Sequence, residues 1–401
     1  MSVDPVALPT FPFPEGPLST PSPAYEEMRA RCPHHRVLTQ AGDEAIMLLG
    51  FDDAAAVLSD SRLSHDLTWP GAARMFAGRS FYDDPAALIN MEGPEHLRLR
   101  RIVASSFTPR RIREWEPVIR EVSEELAEAM LRSGPPADLA AEYSFRLPVR
   151  IVSKLLGVPE SNWAQFRVWS DAFLTVSPMP MDQRMEQIAE FFEYTKELIA
   201  EHRAAPGTDL IDVLTEACYE GDRLTEDELT IMVITLIAAG NETTSNALGR
   251  CVLNLLTDGG HRWKRLLDDR TAVPRAVDEL LRYSPPSTAG MLRVATEDVE
   301  LPTFTVKAGE TVLLTAAALR DPTAYPDPDV IDFDREAPAQ LIFGGGAHYC
   351  LGAHLARTEL RIGLETLLDR VPGLRLDTTA EQIRFTGGDL LTTLVALPVA
   401  W

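Results

Sequence analysis

Lysine is nearly missing from this chain. Lys154, Lys196, Lys264 and Lys307 are the four in 401 residues, so 34 of the 38 basic residues are arginine. Positive charge is scarce altogether. Sixty acidic residues give a net charge of −22, which argues against a nucleic-acid binder, whose domain is normally basic, and suits a dispersed soluble protein. Cysteine is sparse too. Cys32, Cys218, Cys251 and Cys350 form no C-x-x-C pair, which excludes a disulfide framework and a structural zinc site and points to a reducing compartment. The opening "MSVDPVALPTFPFPEGP" has neither a basic start nor an apolar stretch, so no secretory signal is expected. The longest apolar run, Leu229 to Gly240, falls short of the roughly 20 residues a bilayer requires. No repeat recurs, and no linker interrupts the 30 scattered prolines. The expectation is a cytoplasmic protein that binds neither nucleic acid nor membrane, with one domain over residues 1–401.

What is present is mostly helical periodicity. Gln187 to Arg203 and Arg113 to Leu131 read as amphipathic helices. Alternating stretches at 36–50, 299–315 and 383–399 read as strands. The segment 319–341, with four prolines and six acidic residues, fits neither period and reads as an ordered, irregular meander. The fold class is mainly α, with small β-sheets near both ends of the sequence.

One helix stands out. From Leu224 to Gly260, Thr225 and Glu228 have capping-box spacing and Leu224 with Leu229 can staple over it. The "DGG" at 258–260 is a stop. About 32 residues span ~48 Å, and the first half is apolar on most sides, as for a helix that crosses a core. At its middle the pattern breaks into "AGNETT", Ala239 to Thr244. A glycine there costs ~1 kcal/mol relative to alanine, and the Thr243 hydroxyl can bond the carbonyl of Ala239 and loosen the ladder. Either the helix surfaces halfway, or a small ligand meets an acid and an alcohol in a groove.

Two basic–acidic or basic–basic spacings are weaker signals. Glu279 and Arg282 in "ELLR" lie one turn apart on a helix face, as do His96 and Arg100 in "HLRLR". Taken alone, each reads as solvated surface.

The last feature is "FGGGAHYCLG", residues 343–352. Apolar residues at 351, 355, 360, 364, 367 and 368 make one helical stripe, which puts Cys350 at a helix N-terminus. There the dipole and free N–H groups favour a thiolate. Such a thiolate is a nucleophile or a metal ligand. A nucleophile would take His348 as its base, but that reading leaves the interrupted helix unexplained, and a buried structural cysteine explains neither. A haem iron ligand accounts for the glycines, the helix start and the helix break together.

Phe343, Gly346, Cys350 and Gly352 match F-x-x-G-x-x-x-C-x-G, Glu279 and Arg282 match E-x-x-R, and "AGNETT" matches small-Gly-x-acid-Thr-Thr. In this order and separation the three motifs resemble those of the bacterial cytochromes P-450, and the resemblance extends over essentially the whole chain. It implies the cytochrome P-450 fold with a long oxygen-binding helix and a Cys-ligand loop. Cys350 would be the proximal ligand of haem b, Glu242 and Thr243 the pair delivering protons, and Ala239 and Gly240 the residues leaving room for O2. His96, Arg100, Arg293 and His348 would hold the haem propionates. Glu279, Arg282 and Arg335 would form a structural ion triad. The six arginines of 98–113, with Arg357, would meet an acidic ferredoxin. Electrons would come from NAD(P)H through ferredoxin and ferredoxin reductase, to a monomer. A hydrophobic small molecule, free or tethered to a carrier protein, would be hydroxylated or epoxidised. It would be a secondary metabolite such as a polyketide or macrolide. Its pocket would draw on Trp69, Phe76, Leu88, Phe173, Leu174, Thr235, Ala238, Ala289, Met291 and Leu390. Oxidative coupling or nitration, a haem gas-binding protein without turnover, and a cysteine hydrolase are the alternatives.

Overall fold

A computed structural model describes residues 8–77, 84–159, 162–174, 179–219, 224–287, 290–336, 338, 340–386 and 391–401. Among them are twelve α-helices: α1 (Ala24–Arg31), α2 (Phe51–Ser59), α3 (Gly93–Ala104), α4 (Pro109–Ser133), α5 (Arg146–Leu156), α6 (Trp163–Leu174), α7 (Met181–Ala204), α8 (Leu210–Tyr219), α9 (Glu226–Leu256), α10 (His261–Asp268), α11 (Val273–Tyr283) and α12 (Ala353–Arg370). The strands are short: β1 (His34–Leu38), β2 (Glu44–Leu48), β3 (Leu63–Ser64), β4 (Ala137–Asp138), β5 (Met291–Ala295), β6 (Val299–Glu300), β7 (Thr305–Val306), β8 (Thr311–Leu314), β9 (Arg375–Leu376), β10 (Phe385–Thr386), β11 (Thr393–Leu394) and β12 (Pro398–Ala400). The expected strand regions and both expected helices are present, and the described residues after Arg320 form no helix or strand up to a single turn at Gly346–His348. No described helix is long and apolar enough to cross a membrane.

The chain packs as two compact units. The first combines Met1–Gly93, Thr288–Val330 and Ala337–Tyr349. Its five-stranded sheet has the order β1-β2-β8-β5-β3, with β2 parallel to β8 and the other pairs antiparallel. Successive side chains point to opposite faces, and both faces are buried. Met47, Leu49 and Leu313 join Phe11 and Tyr25 on one side. Ile46, Leu48, Val312 and Leu314 meet Ala54 and Val57 of α2 on the other. That is why "AIMLL" and "TVLL" read as unbroken apolar runs.

The second unit, Pro94–Ser287, Ile331–Glu336 and Cys350–Trp401, is helical. Its axis is α9, packed by α5, α6, α7, α11 and α12. The capping box is formed as expected: the Glu228 amide donates to Thr225 Oγ1 at 3.2 Å and the Thr225 amide to the Glu228 carboxylate at 2.7 Å. At ~46 Å, α9 is apolar nearly all round because it is enclosed nearly all round. Tyr143 ties the helices together, its hydroxyl lying 2.5 Å from Ser123 Oγ of α4 and donating to the carbonyl of Gly363 in α12 at 2.8 Å.

Candidate active site

Five residues interrupt the burial of α9. Thr235, Leu236, Ala239, Gly240 and Thr243 keep accessible surface, while their neighbours along the helix are buried. At about 100° per residue they share one face about 140° wide, with Thr235, Ala239 and Thr243 a turn apart. The helix therefore does not surface halfway. It stays inside and opens one stripe. Small size at Ala239 makes room on that stripe. Gly240 has a packing reason as well: a Cβ there would stand 2.9 Å from Cγ2 of Val152 in α5, so the glycine sets how closely α5 and α9 approach.

Acid and alcohol, adjacent in sequence, face different surroundings. Thr243 lies on the open stripe and its hydroxyl donates to the Ala239 carbonyl at 2.8 Å. Glu242 is buried on the flank, and its Oε1 has no hydrogen-bond partner. Burial foremost, then the charge of Asp171 on α6, pushes the carboxyl up to about 8, with Arg167 pulling the other way. The sequence reading did not find Asp171 or Arg167, which carry no motif and reach Glu242 only because α6 packs on α9.

The glycines ahead of Cys350 belong to the first unit. Gly344 (φ +72°) and Gly346 (φ +59°) occupy left-handed backbone. A Cβ on Gly346 would lie 2.6 Å from the Leu58 carbonyl oxygen of α2, so the turn is pressed against that helix. Phe343 sits beside Tyr349, ring centroids 6.5 Å apart. In the second unit, α12 begins only at Ala353, with Gly352 as N-cap. Cys350 thus stands two residues ahead of the cap. It is the exposed one of the four cysteines, and a Cβ on Gly352 would meet nothing within 4 Å. Enough chain surrounds the sulfur that desolvation raises the thiol pKa, against the amides of Gly352 and Ala353 and the guanidinium groups of Arg100 and Arg357. The donors expected at the helix end are there, and burial of the sulfur opposes them.

The remaining basic residues are not surface. In α3, His96 is 1% exposed and Arg100 is half-buried, with Cys350 the charge that favours its cation. In the first unit, β5 carries Arg293, whose guanidinium donates to the Leu292 carbonyl at 2.8 Å. Burial pulls it down to about 9, with Glu92 opposing. His348 lies 3.4 Å from Glu92 and stacks on His65, ring centroids 3.8 Å apart. Neither Glu92 nor His65 belongs to a motif, and both were missed. Arg282 is fully buried and grips Glu279 with two bonds of 2.8 Å. Arg335 adds a third at 3.1 Å and the Asp332 amide a fourth at 3.0 Å. The surface reading of this pair is overturned.

The expected pocket residues scatter. Thr235 lies on the open stripe, and Leu88 and Met291 are half-buried. Trp69 is exposed. Phe76 belongs instead to the core around Phe11 and Tyr25, and Phe173, Leu174 and Ala238 are buried within the second unit, Phe173 edge-on to Phe191. Ala289 and Leu390 lie outside the described residues. Among the described residues His202, Asp209 and Asp212 form the one cluster with metal-ligand spacing, but the two aspartates already take backbone N–H groups at the start of α8.

The second unit thus presents an exposed Cys350 just ahead of α12 and a central helix opened at Ala239 and Thr243. The cytochrome P450 family model matches residues 134–262 and 265–374, and the chain belongs to that family as a P450 monooxygenase. It is 40% identical to nocardicin C N-oxygenase of Nocardia uniformis subsp. tsuyamanensis, over 98% of both chains. It is 38% identical to the mycinamicin IV hydroxylase/epoxidase of Micromonospora griseorubida, again over 98% of both. Among solved structures, the putative thioether synthase of griseoviridin tailoring superposes with a TM-score of 0.93 at 32% identity, covering 98% of this chain and 100% of that one. The family uses haem iron and O2, draws electrons from redox partners, and acts on small molecules. The residues of the second unit suit that group: a soft sulfur for iron, its thiolate favoured by amide N–H groups and by Arg100 and Arg357, and the half-buried Arg100 for a carboxylate.

Proposed function

We propose that Cys350 is the haem b iron ligand of a cytoplasmic, monomeric monooxygenase that hydroxylates or epoxidises a hydrophobic secondary metabolite of polyketide or macrolide type. The observation that carries the proposal is the Cys350 sulfur just ahead of α12, met by the Gly352 and Ala353 amides and by Arg100 and Arg357. Bound haem supplies reductive activation of O2, with the thiolate pushing electron density toward the iron. The chain supplies the rest. His96, Arg100, Arg293 and His348 are the groups that take its carboxylates, and Phe343, Gly346 and Gly352 shape the loop around the sulfur. Glu242 keeps its proton at neutral pH and is the acid in reserve. Thr243, on the open stripe, accepts and passes protons there through its hydroxyl. Of the expected pocket residues, Thr235 lies on that same stripe and is the one best placed there to meet substrate.

The substrate class rests on relatives named for mycinamicin and nocardicin. Those names also include an N-oxygenase and a thioether synthase, so the reaction on the substrate is set by its pose rather than by the fold. NAD(P)H electrons would arrive through ferredoxin and its reductase. For docking, Arg101 and Arg113 are exposed, whereas Arg98, Arg110, Arg111 and Arg357 already hold carboxylates. We also read residues 1–401 as one catalytic domain, because the chain passes between its two units five times, at 93/94, 287/288, 330/331, 336/337 and 349/350.

Two spectra test this. The reduced, CO-bound protein should show the red-shifted Soret band of a thiolate ligand, and Cys350→Ser should lose it. Titration with macrolides, small aromatics, fatty acids and carrier-tethered acyl chains should give a saturable spin-state change with the macrolides. A change with another class alone would reassign the substrate.

A further inference from the structure

We propose that Glu92 and His65 are positioning residues that orient His348 toward the carboxylates of the haem. This deepens the function proposed above and rests on it. All three residues, and Arg293, lie in the first unit. The sheet brings them together: β3 pairs with β5 through Leu63↔Ala295 and Ser64↔Val294, and one further step of that antiparallel register sets His65 opposite Arg293.

Both oxygens of Glu92 are engaged. Oε1 accepts the His65 backbone N–H at 2.7 Å and the Ser64 hydroxyl at 3.4 Å. Oε2 lies 3.4 Å from Nε2 of His348. A carboxylate fixed at both ends leaves the imidazole it holds little freedom to turn. The His65 ring covers the same imidazole at 3.8 Å, tilted by 32°. Glu92 is also the charge that favours the buried Arg293 cation, which otherwise bonds the carbonyl of Leu292. One acid thus holds His348 by a hydrogen bond and favours the charge of Arg293, and one ring packs that imidazole in place. Partners of this kind typically change metal or cofactor retention by 10–100-fold, in order of magnitude, when removed.

The test uses holoprotein and measures haem release to excess apomyoglobin, together with the midpoint potential of the haem. Glu92→Gln keeps the acceptor for the His65 amide and removes the charge. His65→Ala removes the ring, and His65→Phe restores a ring without its nitrogens. Glu95→Gln, on the exposed side of α3 and paired with Arg98, is the control. Glu92→Gln and His65→Ala should release haem roughly tenfold faster and shift the potential, while His65→Phe and Glu95→Gln stay near wild type. Should Glu92→Gln fail to fold, the difference between His65→Ala and His65→Phe decides alone. Wild-type release rates and potentials in Glu92→Gln and His65→Ala, in proteins that keep the thiolate CO band, would overturn this inference and leave the proposed function standing. A wild-type protein without that band would overturn both.

Discussion

Thr243 and Glu242 are adjacent, yet a turn of about 100° separates an accessible hydroxyl from a buried acid. Their substitutions should therefore read out differently. Thr243→Ala removes the hydroxyl from the open stripe and leaves the helix ladder intact. Product formed per NAD(P)H should fall on the order of tenfold, with peroxide making up the difference. Full coupling in the variant would remove Thr243 from proton handling. Glu242 acts on stability as well. Its folded pKa is raised to about 8, so between about 4.5 and 8 the folded chain holds a proton that the unfolded chain has released. This group's contribution is greatest at acid pH and declines as pH rises through that window. Glu242→Gln, which cannot ionise, should gain on wild type by a few kcal/mol from pH 5 to 8. Urea denaturation at each pH measures the difference, and parallel curves would mean that the acid is not desolvated.

At the scale of elements, α9 is held by what its neighbours leave out. Replacing Gly240 by alanine gains ~1 kcal/mol in helix propensity. The new Cβ, however, would stand 2.9 Å from a methyl of Val152, and overpacking of this kind costs about 1–3 kcal/mol. The valine is β-branched and stiff, so the clash should win and Gly240→Ala should be destabilised. Val152→Ala alone leaves a cavity. The double variant should recover part of the loss, giving a coupling energy of about 1 kcal/mol between adjacent sites. Additive effects would show that α5 and α9 separate freely.

For the whole molecule, the cluster at Glu279 is the clearest lock. The acid lies in α11, Arg282 one turn along, and Arg335 in the meander returning to the second unit. Removing the acid takes an ion-pair partner from two buried or nearly buried guanidinium groups. Glu279→Ala should cost about 3–5 kcal/mol. Arg335→Ala should cost less, because Arg282 keeps both of its bonds. Chemical denaturation of the two variants checks the order, and equal costs would mean that the meander, rather than the helix pair, depends on the acid.

Much of this was legible in the sequence. The capping box, the glycine turn, the three motifs and the helical period rest on local rules, where spacing along the chain is distance along a helix or around a turn. These determined the class of fold and marked the cysteine loop and the break in α9, while leaving open whether that helix surfaced or enclosed a groove. What only the tertiary structure decided depends on residues far apart in sequence. Phe76, Phe173 and Ala238, expected at the pocket, are buried, and that burial depends on what packs from elsewhere. Glu92, His65, Arg167 and Asp171 carry no pattern and matter only through the groups they meet. The Glu279 cluster shows the division most simply: sequence placed Glu279 and Arg282 a turn apart, but folding buried the pair and brought Arg335 to it.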